Sequence, residues 1–198
     1  MPGTILKITR RSDWFVTVTS FILLLGCGTE SKSHQSSSPP PVALANVDGI
    51  PLVNGDDWVV VEPDEDPFRG LSPGLEECRG RSHQEEYGGV EIDTSDCKHI
   101  TLSQPISDEI SRGDRLRLVG WHSQLYDPST QSALGHMALS IGSNTIWGIE
   151  RQIPGPPTSW DTTVTAPVDV EPGTLVFLHV RNHGGNSWNL YSLTRIAP

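Results

Sequence analysis

The chain has 198 residues, 35% of them hydrophobic, and its 24 acidic groups against 14 Lys and Arg leave a net charge of −10. That length supports one core-bearing domain of ordinary size, and the acidic surplus repels nucleic acid and anionic lipid headgroups. Composition therefore argues against a nucleic-acid role and favours neutral or cationic soluble partners.

The chain begins with Lys7, Arg10 and Arg11 opposed by Asp13, followed by an uncharged apolar run from Trp14 to Leu25. This is the layout of a secretory signal. A membrane-spanning helix needs roughly 20 apolar residues, and this run is shorter and interrupted by Thr17, Thr19 and Ser20. The run ends Leu24-Leu25-Gly26-Cys27, which resembles the lipobox of bacterial lipoproteins. The resemblance implies that residues 1–26 are a signal peptide removed before Cys27, and that Cys27 carries the lipid, palmitate included, anchoring the chain to a membrane. With Gly28 after the cysteine it further implies the outer membrane of the cell envelope. An ordinary signal peptide or a buried helix is the alternative. Removing residues 1–26 changes the net charge from −10 to −12, because Lys7, Arg10, Arg11 and Asp13 leave together.

Residues 27–44 are rich in Ser and Pro and have almost nothing apolar to bury, so they are expected to be a disordered tether. Its reach as a coil is about 20 to 25 Å. Residues 45–198 are then expected to form a single domain. With Cys27 spent on lipid, Cys78 and Cys97 remain as one pair in an oxidising compartment, and a disulfide is the natural reading over a metal site on the two thiols, since no second cysteine sits near either. The segment they enclose, with Gly80, Gly88 and Gly89, reads as turn-rich.

No apolar stripe of helical period appears in this domain. Short β-rich runs recur instead, at 58–61, 99–102, 115–121, 137–141, 145–149, 162–165, 175–180 and 188–193, separated by turn signals such as Gly113-Asp114, Gly142-Ser143-Asn144, Pro172-Gly173 and Gly184-Gly185-Asn186. This spacing predicts an all-β fold, a two-sheet antiparallel sandwich of jelly-roll type. The segments Leu139 to Trp147, Ser159 to Thr165, Val170 to Phe177 and Gly185 to Tyr191 are similar to those of galactose-binding-like jelly rolls of carbohydrate-binding modules. That resemblance implies a saccharide ligand touched by an aromatic and an asparagine near the last strand, positions held here by Trp188 and Asn189.

If successive strands alternate in direction, one end of the sandwich collects Trp121, His122, His136, Glu150, Arg151, Trp160, His183, Asn186 and Trp188, while Gly113, Gly142 and Gly173 fall at the other. A pyranose offers an apolar face and a ring of hydroxyls, so flat aromatics beside amide, carboxylate, imidazole and guanidinium groups suit it. The bland alternative is that the tryptophans are core aromatics. A second reading places Zn or Cu on His122, His136 and His183, since imidazoles are common ligands of these ions. His179 reads as a packed strand residue, and His83 and His99 as loop and surface.

Catalytic readings are weaker. Gly70-Leu71-Ser72-Pro73-Gly74 has the G-x-S-x-G form, yet no strand precedes it, no helix follows it, and Pro73 lacks the backbone N–H an oxyanion hole would use. The acidic stretch at Asp56-Asp57 and Glu62 to Asp66 lacks the spacing of a calcium loop and reads as a solvated surface. Arg112-Gly113-Asp114 reads as a turn entering a strand. The expected function is a non-enzymatic, membrane-tethered binding module for a saccharide or envelope glycan. The alternatives are a histidine metal site and a structural or protein-binding lipoprotein.

Overall fold

The computed structural model of the chain describes residues 49–78, 82–129 and 132–196, which fall within one compact unit. The leader, Cys27 and the 27–44 tether lie outside the described residues. No helix among the described residues is long and apolar enough to cross a membrane.

Eleven strands carry the fold: β1 (Ile50–Pro51), β2 (Val59–Val60), β3 (His83–Glu86), β4 (Gly89–Asp93), β5 (His99–Pro105), β6 (Arg115–His122), β7 (Ala133–Ile141), β8 (Asn144–Ile153), β9 (Thr158–Thr165), β10 (Leu175–Arg181) and β11 (Ser187–Ile196). One sheet runs β3-β4-β11-β6-β9 with β1 also on β11, and the other runs β2-β5-β10-β7-β8. From β4 to β11 the chain changes sheet at every step except β7 to β8, the interleaving that defines a jelly roll. The expected all-β, two-sheet architecture is thus present.

Period-two patterning explains the layers. In β6, Leu116 and Leu118 enter the inter-sheet core, while Arg115 and Arg117 between them do not. Facing them across the sandwich are Leu102, Met137, Leu139 and Leu178, all fully buried. Full burial of such a side chain is worth about 1.5–3 kcal/mol. Gly120 on the same strand is required by contact: a Cβ there would lie 2.4 Å from the Trp160 ring and 2.4 Å from Asn189 O.

The segment between the cysteines departs from expectation. It holds the hairpin β3–β4, turned through Tyr87 and Gly88 with φ of 54° and 85°, two successive left-handed residues as a tight hairpin of primed type needs. Tyr in place of the usual Asn or Asp hid the turn from a reading by turn residues. The Cys78–Cys97 disulfide is formed, with Cα atoms 4.8 Å apart. Closing 19 residues is worth about 3 kcal/mol on the chain-entropy model. Gly70 to Gly74 overlaps a 3₁₀ turn, Arg69–Leu71, and the preceding strand, β2, ends well before it at Val60.

Candidate functional site

The pairing registers test the predicted rim. In the six-stranded sheet, His122 pairs with Trp188 on one side and Thr158 on the other. In the five-stranded sheet, His136 pairs with Arg181 and Glu150. Each sheet therefore gathers its share of the predicted residues at one end of its strands, and Gly113, Gly142 and Gly173 precede or follow the opposite strand ends. Adjacent residues of a strand, however, face opposite ways. The predicted set is divided among three surfaces and a loop.

Between the sheets lie His122, Arg151, Trp160 and Trp188. Trp188 is 0% exposed, packs where a Gly135 side chain would be (2.6 Å to its ring), and donates from Nε1 to Asn182 Oδ1 at 3.2 Å. This corrects the expectation that Trp188 stacks on a ligand: it is a core residue. The His122 ring centroid sits 4.9 Å from that of Trp188 and 6.3 Å from that of Trp160, and the Trp160 ring lies tilted 5.6 Å from Trp147. His122 Nδ1–H donates to Ser123 O at 2.8 Å, which leaves Nε2 inward, buried and without a partner. Burial, reinforced by the Arg151 guanidinium, lowers the His122 pKa and outweighs the opposing Ser123 carbonyl, so the ring is neutral.

On the outer face of the five-stranded sheet lie His136 and Glu150, with His99, Arg181 and His179. A strap, residues 62–78, crosses this face. His179 stacks 5.1 Å from Phe68, its Nε2 is 3.4 Å from Ser72 Oγ and its Nδ1 is 2.8 Å from Thr101 Oγ1. Two hydroxyls suit a neutral imidazole in either tautomer. Burial, with His136, His99 and Arg181 adding repulsion, pushes the His179 pKa down to about 3. Arg181 Nη1 donates to Leu71 O at 2.8 Å, and His99 Nε2 donates to Leu75 O at 3.3 Å. His179 is the packed residue expected; His99 is held under the strap rather than displayed at the surface, and His83 lies on β3 rather than in a loop, 3.2 Å from Trp58 O. The pKa of His136 is lowered, by burial first and by Arg181 second.

His183 lies in the loop between β10 and β11. Asn186 clasps that loop: its Oδ1 accepts from Tyr126 N at 2.6 Å and its Nδ2 donates to Tyr126 O and His183 O at 3.2 and 2.9 Å. The amide is committed to structure. His122, His136 and His183 thus occupy an interior, a sheet face and a loop, and among the described residues no group of three His, Cys, Asp or Glu is placed to hold a metal ion.

The outer face of the six-stranded sheet receives Trp121 and Asn189, and here the registers align one row across five strands. Gln84 pairs with Glu91, Glu91 with Asn189, Asn189 with Trp121, and Trp121 with Ser159. Gln84 Nε2 donates to Glu91 Oε2 at 2.9 Å. Trp121 and Val119, with half-buried Tyr191, form an apolar cluster separate from the main core. The centre of the face is buried, with Trp121 and Asn189 each 3% exposed, while its margins at Gln84 and Asp161 are exposed. Asn189 Nδ2, Ser192 Oγ, Thr194 Oγ1 and Glu86 Oε2, all on this face, have no hydrogen-bond partner. Arg117 grips Asp161 through Nε and Nη2 at 2.8 and 2.6 Å and lowers its pKa. Burial, then the Glu91 and Glu85 carboxylates, push Glu86 up to about 7. Sequence reasoning missed Gln84, Glu86 and Glu91 because the β3–β4 hairpin was hidden. The alternation in Gly89-Val-Glu-Ile-Asp93 was the available signal.

A separate cleft of about 580 Å³ opens beside the disulfide, lined by Leu75, Glu76, Glu77, Ser82, Asp96 and Cys97, and contains none of the predicted ligand residues.

The chain matches no family model and no curated protein sequence. Among solved structures it is similar to a family 4 carbohydrate-binding module (15% identity, TM-score 0.42, 73% of this chain and 94% of that one). It is also similar to TmCBM61 solved with β-1,4-galactotriose (14%, 0.36, 73% and 92%), and to the C-terminal CBM6 of LamC, a laminarinase from Zobellia galactanivorans (14%, 0.35, 72% and 100%). No residue role is transferred from them.

Proposed function

We propose that the chain is a non-catalytic saccharide-binding module, tethered by lipid on Cys27 to the outer membrane of a bacterial envelope, with its ligand on the outer face of the six-stranded sheet. One observation carries this reading: the row Gln84, Glu91, Asn189, Trp121, Ser159 sets an indole, an amide with an unpartnered Nδ2, and a carboxylate–amide pair in line on one face. An indole presents a flat apolar surface to the C–H side of a pyranose, and amides and carboxylates bond its hydroxyls. Shielded polar groups without partners cost free energy until a ligand supplies one. The site thus moves from the strand ends, where sequence order gathers polar residues, to a sheet face.

The test is a glycan-array screen of the full chain, followed by titration of the best ligand against Trp121→Ala. Loss of about 1–2 kcal/mol of binding, roughly ten- to thirty-fold in affinity, is expected when read well below the unfolding midpoint, because truncating an indole that is only 3% exposed also lowers stability. Retained binding in Trp121→Ala would move the ligand elsewhere, and no glycan binding at all would end the saccharide reading. Cys27→Ser tests the anchor separately: the protein should pass from the membrane to the soluble fraction.

A further inference from the structure

A group of unsatisfied nitrogen atoms lies between the sheets, away from the face assigned to the saccharide. β8 and β9 are edge strands of the two sheets, and they meet along one side of the sandwich, where the Trp147 and Trp160 rings lie 5.6 Å apart. Three side chains from three strands turn into this seam: His122 from β6, Arg151 from β8 and Trp160 from β9. Arg151 pairs with Gly135, whose missing side chain leaves room for the Trp188 ring, so Arg151 shares that inner face. The edge of the Trp160 ring that carries Nε1 lies over Gly120, with Cε2 2.6 Å from where a Cβ would stand, and the His122 ring on the same strand is 6.3 Å from it between centroids.

His122 Nε2, Arg151 Nε and Trp160 Nε1 are all buried without a hydrogen-bond partner. His122 and Trp160 are 1% and 8% exposed, so bulk water does not serve them. Shielded polar atoms of this kind ordinarily have partners. Arg151 also lacks a counter-charge. Its Nη1 donates to a main-chain carbonyl, Glu150 O, at 3.0 Å, and the ion pairs of the described residues use Arg117 and Arg195 instead. The acids of the two edge strands turn away from the seam, Glu150 to the outer face of its own sheet and Asp161 to Arg117.

The three nitrogens together specify a ligand. Arg151 Nε–H and Trp160 Nε1–H are donors, while His122, whose Nδ1–H is spent on Ser123 O, keeps an acceptor lone pair at Nε2. An oxygen that joins Trp160 to His122 must accept from one and donate to the other, which a hydroxyl does and a carboxylate does not. Two such bonds of about 2.9 Å each suit the separation of the rings. The guanidinium asks for an anion.

We propose that the seam between β8 and β9 is a second binding site, for a carboxylate whose β-carbon bears a hydroxyl, the arrangement found at the free end of a uronic acid. The carboxylate takes the Arg151 guanidinium, and the hydroxyl donates to His122 Nε2 and accepts from Trp160 Nε1. Arg151 and Trp147 are half-buried and stand at the mouth, where the indole meets the C–H face of the sugar. Every orphan atom gains a partner with His122 left neutral. The net charge of −10 does not forbid an anion, because surface charge is screened beyond about 8 Å at physiological salt and the guanidinium contact is direct.

The experiment titrates the full chain, purified in detergent at pH 7, with methyl β-glucuronide, methyl β-glucoside and β-hydroxybutyrate. The glucuronide is expected to bind about tenfold more tightly than the glucoside. Arg151→Met, of similar length without the charge, should abolish that difference, and Trp160→Phe, read well below its unfolding midpoint, should weaken the glucuronide about fivefold. β-Hydroxybutyrate binding as tightly as the glucuronide would make the source of the group a free hydroxy acid, and weaker binding would make it a sugar; both keep the site. Equal binding of glucuronide and glucoside, or no binding of either acid, overturns the inference, as does a preference that survives Arg151→Met. Loss of the preference in Trp121→Ala also overturns it, since the carboxylate would then lie on the outer face. The saccharide reading of that face is judged separately by the glycan array.

Discussion

The two outward faces of the sandwich began from the same strand logic and ended differently. The five-stranded face is roofed: Ser72, Leu71 and Leu75 of the strap are tied to His179, Arg181 and His99, and Phe68 stacks on His179. On the six-stranded face the hydrogen bond from Gln84 to Glu91 and the Arg117–Asp161 pair run within the sheet itself, and no described segment is tied across it. Both faces are polar, so polarity alone does not mark a site. The difference is whether another part of the chain supplies the partners. His136 Nδ1 and Ser140 Oγ show that the roof is incomplete, but its central imidazole is satisfied at both nitrogens, whereas Asn189, Ser192 and Thr194 each retain an unpartnered side-chain atom.

The roof can be loosened. Replacing both members of the disulfide, Cys78→Ser with Cys97→Ser, should lower unfolding stability by about 3 kcal/mol, measured as a drop in urea midpoint. Glycan binding on the opposite face should survive below that midpoint. If binding were lost in parallel with the strap, the two faces would not be independent. Acid is the next lever. His179 has a folded pKa of about 3 against an unfolded value near 6.5, so below pH 6.5 the unfolded chain binds the proton and the folded chain does not. Stability is therefore greatest above 6.5 and falls as pH drops toward 3. His179 alone should cost roughly 2 kcal/mol by pH 5, with the lowered His122 and His136 acting in the same direction. Measured in Glu86→Gln, which removes the opposing titration of Glu86, urea midpoints that stay flat from pH 7 to pH 5 would contradict the buried, neutral imidazole.

How much of this was legible beforehand follows from what sequence order encodes. Turn residues and β-rich runs were enough for the class and the two-sheet sandwich, because glycine turns and period-two patterning are local, and the count of cysteines was enough for the disulfide. Strand order also put Trp121, His122, Trp188 and Asn189 at the same end of their sheet. It could not say which face each would take without the phase of every strand, and a one-residue change of phase reverses the face. Hence Trp188 and Asn189, adjacent in sequence and matched together to a sugar contact, separate onto the inner and outer faces of the sheet, both of them buried. Trp188→Ala is a core truncation of about 3–5 kcal/mol rather than a ligand deletion. The Asn186 clasp was illegible for another reason: its partners, Tyr126 and Thr94 among them, are distant in sequence, and Thr94 and Asn182 drew no attention from composition or motif.

The smallest expected effect bears most directly on what separates the faces. Glu86 is raised to about 7 by burial and by its acidic neighbours, so the folded chain binds a proton there between pH 4.5 and pH 7 that the unfolded chain has released. Its sign is opposite to that of His179: stability contributed by this group is present at low pH and is lost as pH rises through 7. At pH 8 the charged Glu86 is a net cost, and Glu86→Gln should therefore stabilise the protein by about 1 kcal/mol after allowance for the solvent screening of a half-buried group. At pH 4, where the carboxyl is protonated in both states, the substitution should be neutral. A destabilising Glu86→Gln at pH 8 would mean that the carboxylate already has a cationic partner within the chain, and the six-stranded face would then be as self-satisfied as the roofed one.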